Sequence, residues 1–345
     1  MEKNLYENLL DQLAKKEQVA LITVLGEHLE KYIFENGKEQ EKELAGQACE
    51  EGRPVLLEEE GKITIAEPFC REERMILLGG GHVSLALAEF GAKIGFAVTV
   101  VDDRPYFANR TRFPWAREVL CEGFQSAIEK LEIRSSDYVV ILTRGHRWDG
   151  ECLRSLYRQP ASAYLGMIGS RRRVKSLKEQ LVEEGMEESW LEKLHSPVGL
   201  SIGAVTPEEI AISILAEIIE TKRKPKEGQM RTLQSDIDMR VMEKLARVPE
   251  PFSGMGKAIV TILSTKGSVP RKAGAKMIVY ENGMIDGTIG GGCAESAIMQ
   301  EARGIIGTGG YLIRQVDMTG TVAEEEGMVC GGTMKVLIED GTSNK

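Results

Sequence analysis

Regularly spaced cysteine pairs are missing from this chain. Its six cysteines, Cys49, Cys70, Cys121, Cys152, Cys293 and Cys330, form no CxxC pair and no repeating framework. That removes zinc ribbons and disulfide scaffolds and leaves thiols of the kind kept in a reducing compartment. Histidine is scarce too: His28, His82, His146 and His195 make no HExxH arrangement, so no metalloprotease-type centre arises from local spacing. Positive charge is outweighed, with 44 Lys and Arg against 53 Asp and Glu and a net charge of −9. Such a surface is not built to neutralise a phosphodiester backbone, and nucleic acid is not an expected partner. No stretch reaches the roughly 18 apolar residues of a membrane span. The opening MEKNLYENLLDQLAKKEQ is charged and amphipathic with no apolar signal core, which points to a cytoplasmic protein.

What is present is ordinary globular material, 42% hydrophobic and 28% charged over 345 residues, enough for two or three domains. Between Arg74 and Asp103 an apolar run, MILLGGG, leads into the helix-compatible HVSLALAEFGAKIG and then a β-branched run, FAVTVVDD. That is one βαβ unit. DYVVILT (Asp137 to Thr143) and AYLGMIG (Ala163 to Gly169) are continuous apolar runs, as buried parallel strands are, so at least four strands are expected. TPEEIAISILAEIIETKR closes the domain as a helix, with Thr206 at its N-cap and a proline next.

The fold class is therefore α/β, a Rossmann-type doubly wound parallel sheet flanked by smaller α+β domains. The expected boundaries are 1–72 for a small α+β domain, 73–222 for the Rossmann-type domain, 223–235 for a polar linker, and 236–345 for an α+β domain bearing glycine and cysteine motifs. EQVALITVLG near the start echoes GKAIVTILST near the end, which suggests a duplicated module whose N-terminal copy lacks those motifs.

Glycines in the first turn of a dinucleotide fold let the backbone approach a pyrophosphate at a helix N-terminus, where free N–H groups and the helix dipole favour anions. Gly79, Gly80 and Gly81 fill that turn, with Ser84 where a third fingerprint glycine or alanine would stand. Asp102 and Asp103 end the second strand about 20 residues on, where an acid meets ribose hydroxyls. Arg104 beside them leaves NAD against NADP open. His82 opens the helix after the glycines, and Thr143, Arg144, His146 and Asp149 follow the DYVVILT strand, so both groups fall at the carboxyl rim where ligands sit in open α/β sheets. Ser170 and Arg171, in GSRRRVKS, begin another helix and form a candidate anion-binding turn. Each of these charged groups also has a plain reading as a solvated loop residue.

In TIGGGCAES, Cys293 follows Gly291 and Gly292 at the start of a helix, where the positive dipole end lowers a thiol pKa. Such a thiol is a nucleophile or a soft-metal ligand. Cys330 is likewise wrapped by glycines in GMVCGGTM, and Glu295 stands near Cys293. A single cysteine of this kind is more often structural. Two in glycine-rich settings beside an acid form a candidate functional pair.

LLGGGHVSLALAEFGAKIGFAVTVVDDRPYFANRTRFP, MIGSRRR and HSPVGLSIGAVTPEEIAISILAEII, together with GSVPRKAGAKMIV, GTIGGGCAE and MVCGG, resemble the xanthine dehydrogenase accessory proteins of the XdhC/CoxI family. The likeness spans about Arg74 to Lys222 and Gly256 to Asp340. One departure stands out: in the usual arrangement the cysteine-bearing domain precedes the Rossmann domain, and here it follows.

The resemblance implies a maturation factor for molybdenum hydroxylases, a cofactor-insertion chaperone more than a turnover enzyme. It would bind molybdenum cofactor (molybdopterin), support its sulfuration by a cysteine desulfurase, and deliver it to the apo molybdenum hydroxylase, with a homodimer expected. Cys293 and Cys330 are then the metal-proximal or sulfur-handling residues and Glu295 a proton acceptor. The glycine turn with His82, the Asp102 to Arg104 segment, Thr143, His146, Asp149, Ser170, Arg171, Gly291 and Gly292 would line the cofactor. Two alternatives stay open on the residues alone: an NAD(P)-dependent oxidoreductase using His82 or His146 in acid-base work, and a nucleotide-sensing regulatory module.

Overall fold

In the computed structural model the residues described are 3–59, 61–223, 237–247, 252, 254–318 and 332–342. They divide into two compact units, one formed by 72–224 and the other by 1–71 together with 225–345.

The chain opens with α1 (Leu5–Lys15), started by a capping box in which Asn4 accepts from the Glu7 N–H and Glu7 reaches back to the Asn4 N–H. Tyr6, Leu9 and Leu13 fall on one face at helical spacing, and that face is buried. β1 (Gln18–Leu25) and β2 (Leu29–Ile33) form a hairpin, α2 (Glu39–Glu51) ends at Gly52 in the left-handed region, and β3 (Val55–Glu59) returns into β4 (Lys62–Cys70). The four strands pair antiparallel in the order β2-β1-β4-β3.

The second unit runs β5 (Arg74–Leu78), α3 (His82–Lys93), β6 (Ala97–Val101), β7 (Glu118–Leu120), α4 (Phe124–Leu131), β8 (Tyr138–Ile141), α5 (His146–Tyr157), β9 (Tyr164–Met167), α6 (Arg171–Glu183), α7 (Glu188–Glu192) and α8 (Pro207–Arg223). Its sheet is parallel throughout, ordered β7-β6-β5-β8-β9. Alternate residues of each strand feed two separate cores. Ile76, Leu78, Val139 and Ile141 pack under α4, α5 and α6, while Met75, Leu77, Val98 and Val140 pack under α3 and α8. The expected doubly wound sheet is thus present. It gains β7, three residues long and too short to announce itself as an apolar run. The chain leaves β5 toward β6 and β7 on one side and later adds β8 and β9 on the other, which puts a topological switch point at the carboxyl end of β5.

The C-terminal segment contributes α9 (Met239–Ala246), β10 (Lys257–Lys266), β11 (Lys276–Tyr280), β12 (Ile285–Gly287), α10 (Gly292–Ile305), β13 (Tyr311–Asp317) and β14 (Thr333–Asp340), with antiparallel order β12-β11-β10-β14-β13. Apart from β12, both the order and the register repeat the N-terminal sheet. Thr23 stands opposite Lys31 and Ile65 as Thr261 stands opposite Lys276 and Leu337, and Leu21 faces Glu67 as Ile259 faces Glu339. The two sheets share a core: Leu25 and Ile65 cluster with Leu263 and Leu337, and α1 packs with α9 over Leu21, Ile259, Ile278 and Tyr280.

Candidate functional site

Each of the three glycines after β5 has its own physical reason. Gly79 has φ 125° and its N–H donates to the Val101 carbonyl at 2.7 Å; a Cβ there would overlap the Leu142 carbonyl. A Cβ on Gly80 would overlap the Phe107 carbonyl, and the Gly80 N–H donates to Asp102 Oδ2 at 2.8 Å. Gly81, the N-cap of α3, has an ordinary φ of −68° and a Cβ there would meet nothing within 4 Å. Chain packing accounts for the first two, and only the third leaves room beside the helix terminus. Ser84 is fully buried, its hydroxyl without a hydrogen-bond partner, so this position behaves as the small packing residue that the fingerprint requires.

Asp102 is buried and fully engaged. Arg104 Nε donates to Oδ1 at 2.8 Å and Nη2 to Oδ2 at 2.9 Å, and the Arg104 guanidinium lies 3.8 Å from the centre of the Phe107 ring. With the Gly80 N–H on the same carboxylate, Asp102 clamps the glycine turn and has little acceptor capacity left for ribose hydroxyls. Arg112 adds a third strut, its Nε donating to the Gly80 carbonyl at 3.2 Å. Neither Phe107 nor Arg112 is visible as a site neighbour in the sequence; they lie in the long segment between β6 and β7.

Asp103 is held by both terminal nitrogens of Arg144, Nη1 at 2.5 Å and Nη2 at 2.9 Å, and that guanidinium keeps its carboxyl below the usual aspartate range. Arg144 in turn lies 4.6 Å from the Trp148 ring centre. Past β8, Thr143 donates to Asp149 Oδ1 at 2.5 Å, while burial pushes the Asp149 carboxyl up. Arg173 Nε donates to His146 Nε2 at 2.5 Å, tying the first turns of α5 and α6. Ser170 is the N-cap of α6 but makes no side-chain cap bond, Arg171 follows it exposed, and His82 is exposed at the start of α3. These groups line the carboxyl ends of β6, β5, β8 and β9, so one rim gathers the sequence-predicted residues from Gly79 to Arg171.

The glycine-loop segment is a separate construction. Gly290, Gly291 and Gly292 carry φ of 138°, 79° and 72°, a run open only to glycine. A Cβ on Gly290 would lie 3.1 Å from the Pro270 ring, and one on Gly332 would lie 2.6 Å from the Ser268 carbonyl oxygen. The GSVPRKAG loop is therefore in contact with both glycine segments. Glu295, on the first turns of α10, accepts from Thr288 Oγ1 at 2.5 Å, from the Ile289 N–H at 2.9 Å and from the Gly291 N–H at 3.1 Å, all on Oε2. Cys293 contributes its backbone as the second residue of α10, and Cys330 lies outside the described residues. Among the described residues, no group of three or more His, Cys, Asp and Glu side chains could hold a metal ion.

One chain thus joins a Rossmann-type unit, with a polar, arginine-rich rim, to an α+β unit built around a tethered glycine loop. Two family models match it, the XdhC Rossmann domain over residues 75–218 and the XdhC and CoxI family over 253–317. The chain belongs to the XdhC/CoxI family. The uncharacterized protein YqeB of Escherichia coli K12 is 42% identical over 158 residues, 46% of this chain and 29% of that protein. A probable xanthine dehydrogenase subunit from Bacillus subtilis is 34% identical over 151 residues, covering 44% of this chain and 43% of that protein. The molybdenum cofactor insertion chaperone PaoD of Escherichia coli K12 is 40% identical over 58 residues, covering 17% and 18%. The chain thus spans less than half the length of these curated relatives. A crystal structure of a xanthine dehydrogenase from Bacillus halodurans aligns with a TM-score of 0.48 at 28% identity, covering 65% of this chain and 66% of that one. No helix among the described residues is long and apolar enough to cross a membrane.

Proposed function

We propose that this chain is a maturation factor for molybdenum hydroxylases: it binds molybdenum cofactor, shelters it while a cysteine desulfurase exchanges a ligand for sulfur, and passes it to the apo-hydroxylase in the cytoplasm. The observation that carries the reading is the space left at glycines that packing does not explain. Side chains at Gly81, Gly291 and Gly292 would meet nothing within 4 Å, and each of the three lies at the start of a helix. Open room at these helix starts suits the anionic tail of a pterin at the Rossmann rim and close approach of a bulky centre at the cysteine loop.

When bound, the cofactor supplies the molybdenum centre that the hydroxylase uses. This chain's residues do the holding. Arg144, Arg171 and Arg173 favour anionic groups at the rim, and Cys293 and Cys330 offer thiolates to a soft centre. A nicotinamide-dependent reaction is the weaker reading, because Asp102 already has its oxygens engaged by Gly80 and Arg104. A nucleotide-sensing module meets the same objection. A homodimer is the proposed assembly.

Anaerobic purification from cells making the cofactor, followed by oxidation to fluorescent pterin derivatives and a molybdenum assay, tests the reading. Wild-type protein should carry pterin, and Cys293→Ala and Cys330→Ala should each lose most of it or its molybdenum. A wild-type preparation with neither pterin nor molybdenum overturns it.

A further inference from the structure

We infer that Glu295 is a positioning residue that holds the glycine loop in front of Cys293, and not a proton acceptor for that thiol. The inference rests on the proposed role of Cys293. A single carboxylate oxygen, Oε2, takes the Thr288 hydroxyl and the N–H groups of Ile289 and Gly291. Thr288 Oγ1 in turn accepts from the Gly290 N–H at 3.0 Å. Every backbone N–H from 289 to 291 is therefore tied, directly or through Thr288, to one side chain that is itself nearly buried.

The loop needs such a tether. Three successive glycines in the left-handed half of backbone space lose more conformational entropy on ordering than any other residue type. Only Gly290 finds packing support, from Pro270; Gly291 and Gly292 have open space on their Cβ side. Hydrogen bonds to Glu295 supply the order that packing does not. The consequence falls on Cys293, whose backbone is the second residue of α10, immediately past the tethered run. Its place in the first turn, where the helix dipole favours a thiolate, depends on the loop keeping its shape.

A positioning role and a proton-accepting role separate on Glu295→Gln. The glutamine keeps an amide oxygen that can accept the same N–H groups, but it cannot take a proton from a thiol. Two readouts on the full chain apply: hydrogen exchange of the amides at 289–291, and the pH profile of Cys293 alkylation by iodoacetamide, followed on its own peptide by mass spectrometry. Glu295→Gln should keep amide protection within about threefold of wild type and leave the Cys293 alkylation midpoint at or below the wild-type value. Glu295→Ala should speed exchange by about a hundredfold and move the midpoint up toward the ordinary cysteine value of about 8.5. Thr288→Ala, which frees only Gly290, should give a smaller change of the same sign and remains informative if Glu295→Ala does not fold.

Equal loss in Glu295→Gln and Glu295→Ala on the alkylation profile, with amide protection intact in Glu295→Gln, assigns proton transfer to Glu295 and overturns the inference. Unchanged exchange in both Glu295→Ala and Thr288→Ala also overturns it. Pterin content measured in parallel keeps the two proposals apart: wild-type protein without pterin but with the expected exchange pattern defeats the cofactor reading and leaves the positioning role standing.

Discussion

The Lys276 ammonium lies 2.6 Å from the Glu67 carboxylate, with both side chains about 1% exposed and the two residues 209 positions apart in sequence. Lys31 and Glu339 make the reciprocal pair, from β2 to β14, so the two sheets of one unit exchange equivalent charges across their shared core. We take this reciprocity as support for a duplicated module in which the N-terminal copy kept the packing face and lost the glycine and cysteine loops. Removing one partner of a buried pair leaves an uncompensated charge, and Lys276→Met or Glu67→Gln should each cost about 3–5 kcal/mol. The double replacement Lys276→Met with Glu67→Leu should cost clearly less than the sum of the single changes. Equilibrium urea unfolding measures all of these, and single variants with the wild-type midpoint would show that the pair has no structural weight.

Thr23 and Thr261 hold the same register position, yet their hydroxyls differ. Thr261 Oγ1 accepts from the Lys276 ammonium at 2.8 Å, whereas Thr23 Oγ1 is buried with no partner. Valine has nearly the same shape, so replacement isolates the hydroxyl. Thr261→Val should destabilise by about 1–2 kcal/mol through the lost charged hydrogen bond, and Thr23→Val should be neutral or stabilising. Thermal unfolding of the two variants side by side decides it. Equal losses would mean that Thr23 has a bonding role like that of Thr261.

The Rossmann unit is legible in the sequence because its signals are local: a continuous apolar run, a glycine turn, a helical stretch and a second β-branched run, all within about 30 residues. β7 is not, since Glu118–Leu120 has no room for a pattern. The acid about 20 residues after the glycines is legible as well, but its use is not. Ribose binding is what the spacing suggests, whereas the partners of Asp102 are decided by how Arg104, Phe107 and Arg112 fold back over the turn. The echo between Gln18–Leu25 and Lys257–Lys266 is visible, while the reciprocal ion pairs, which join residues more than 200 positions apart, leave no local mark. Glu295 does carry a readable signal for its positioning role: an acid four residues past Gly291 at a helix start can fold back to cap the preceding turn, as in a capping box.

Gly80 and Gly81 are adjacent and chemically identical, yet their substitutions should separate cleanly. A methyl group on Gly80 would overlap the Phe107 carbonyl, and relieving it shifts the segment that Asp102, Arg104 and Arg112 hold in place. Gly80→Ala should therefore lose about 1–3 kcal/mol of stability. Gly81→Ala enters open space at an ordinary φ and should change stability by less than about 1 kcal/mol, while narrowing the approach to the N-terminus of α3. Denaturant unfolding combined with pterin content reads both effects. A stable Gly81→Ala protein that retains full pterin would show that the cofactor's tail does not use this turn.

Asp149 gives a pH dependence whose sign is fixed by its surroundings. Burial raises its folded-state pKa above the ordinary aspartate value of 3.8, with the Thr143 hydroxyl and the charge of Arg173 pulling the other way. A raised acid binds its proton more tightly in the folded chain than in the unfolded one. The stabilising contribution is thus complete below the unfolded value and is lost as pH rises through the folded value, leaving a standing penalty at neutral pH. Asp149→Asn keeps an oxygen to accept from Thr143 and removes the buried charge. Relative to wild type, the variant should unfold at higher denaturant at pH 7, and the advantage should shrink as pH falls toward 3.8. An advantage that is constant from pH 4 to pH 7, or a loss at pH 7 that grows with pH, would place the stabilising interaction on the ionised carboxylate instead.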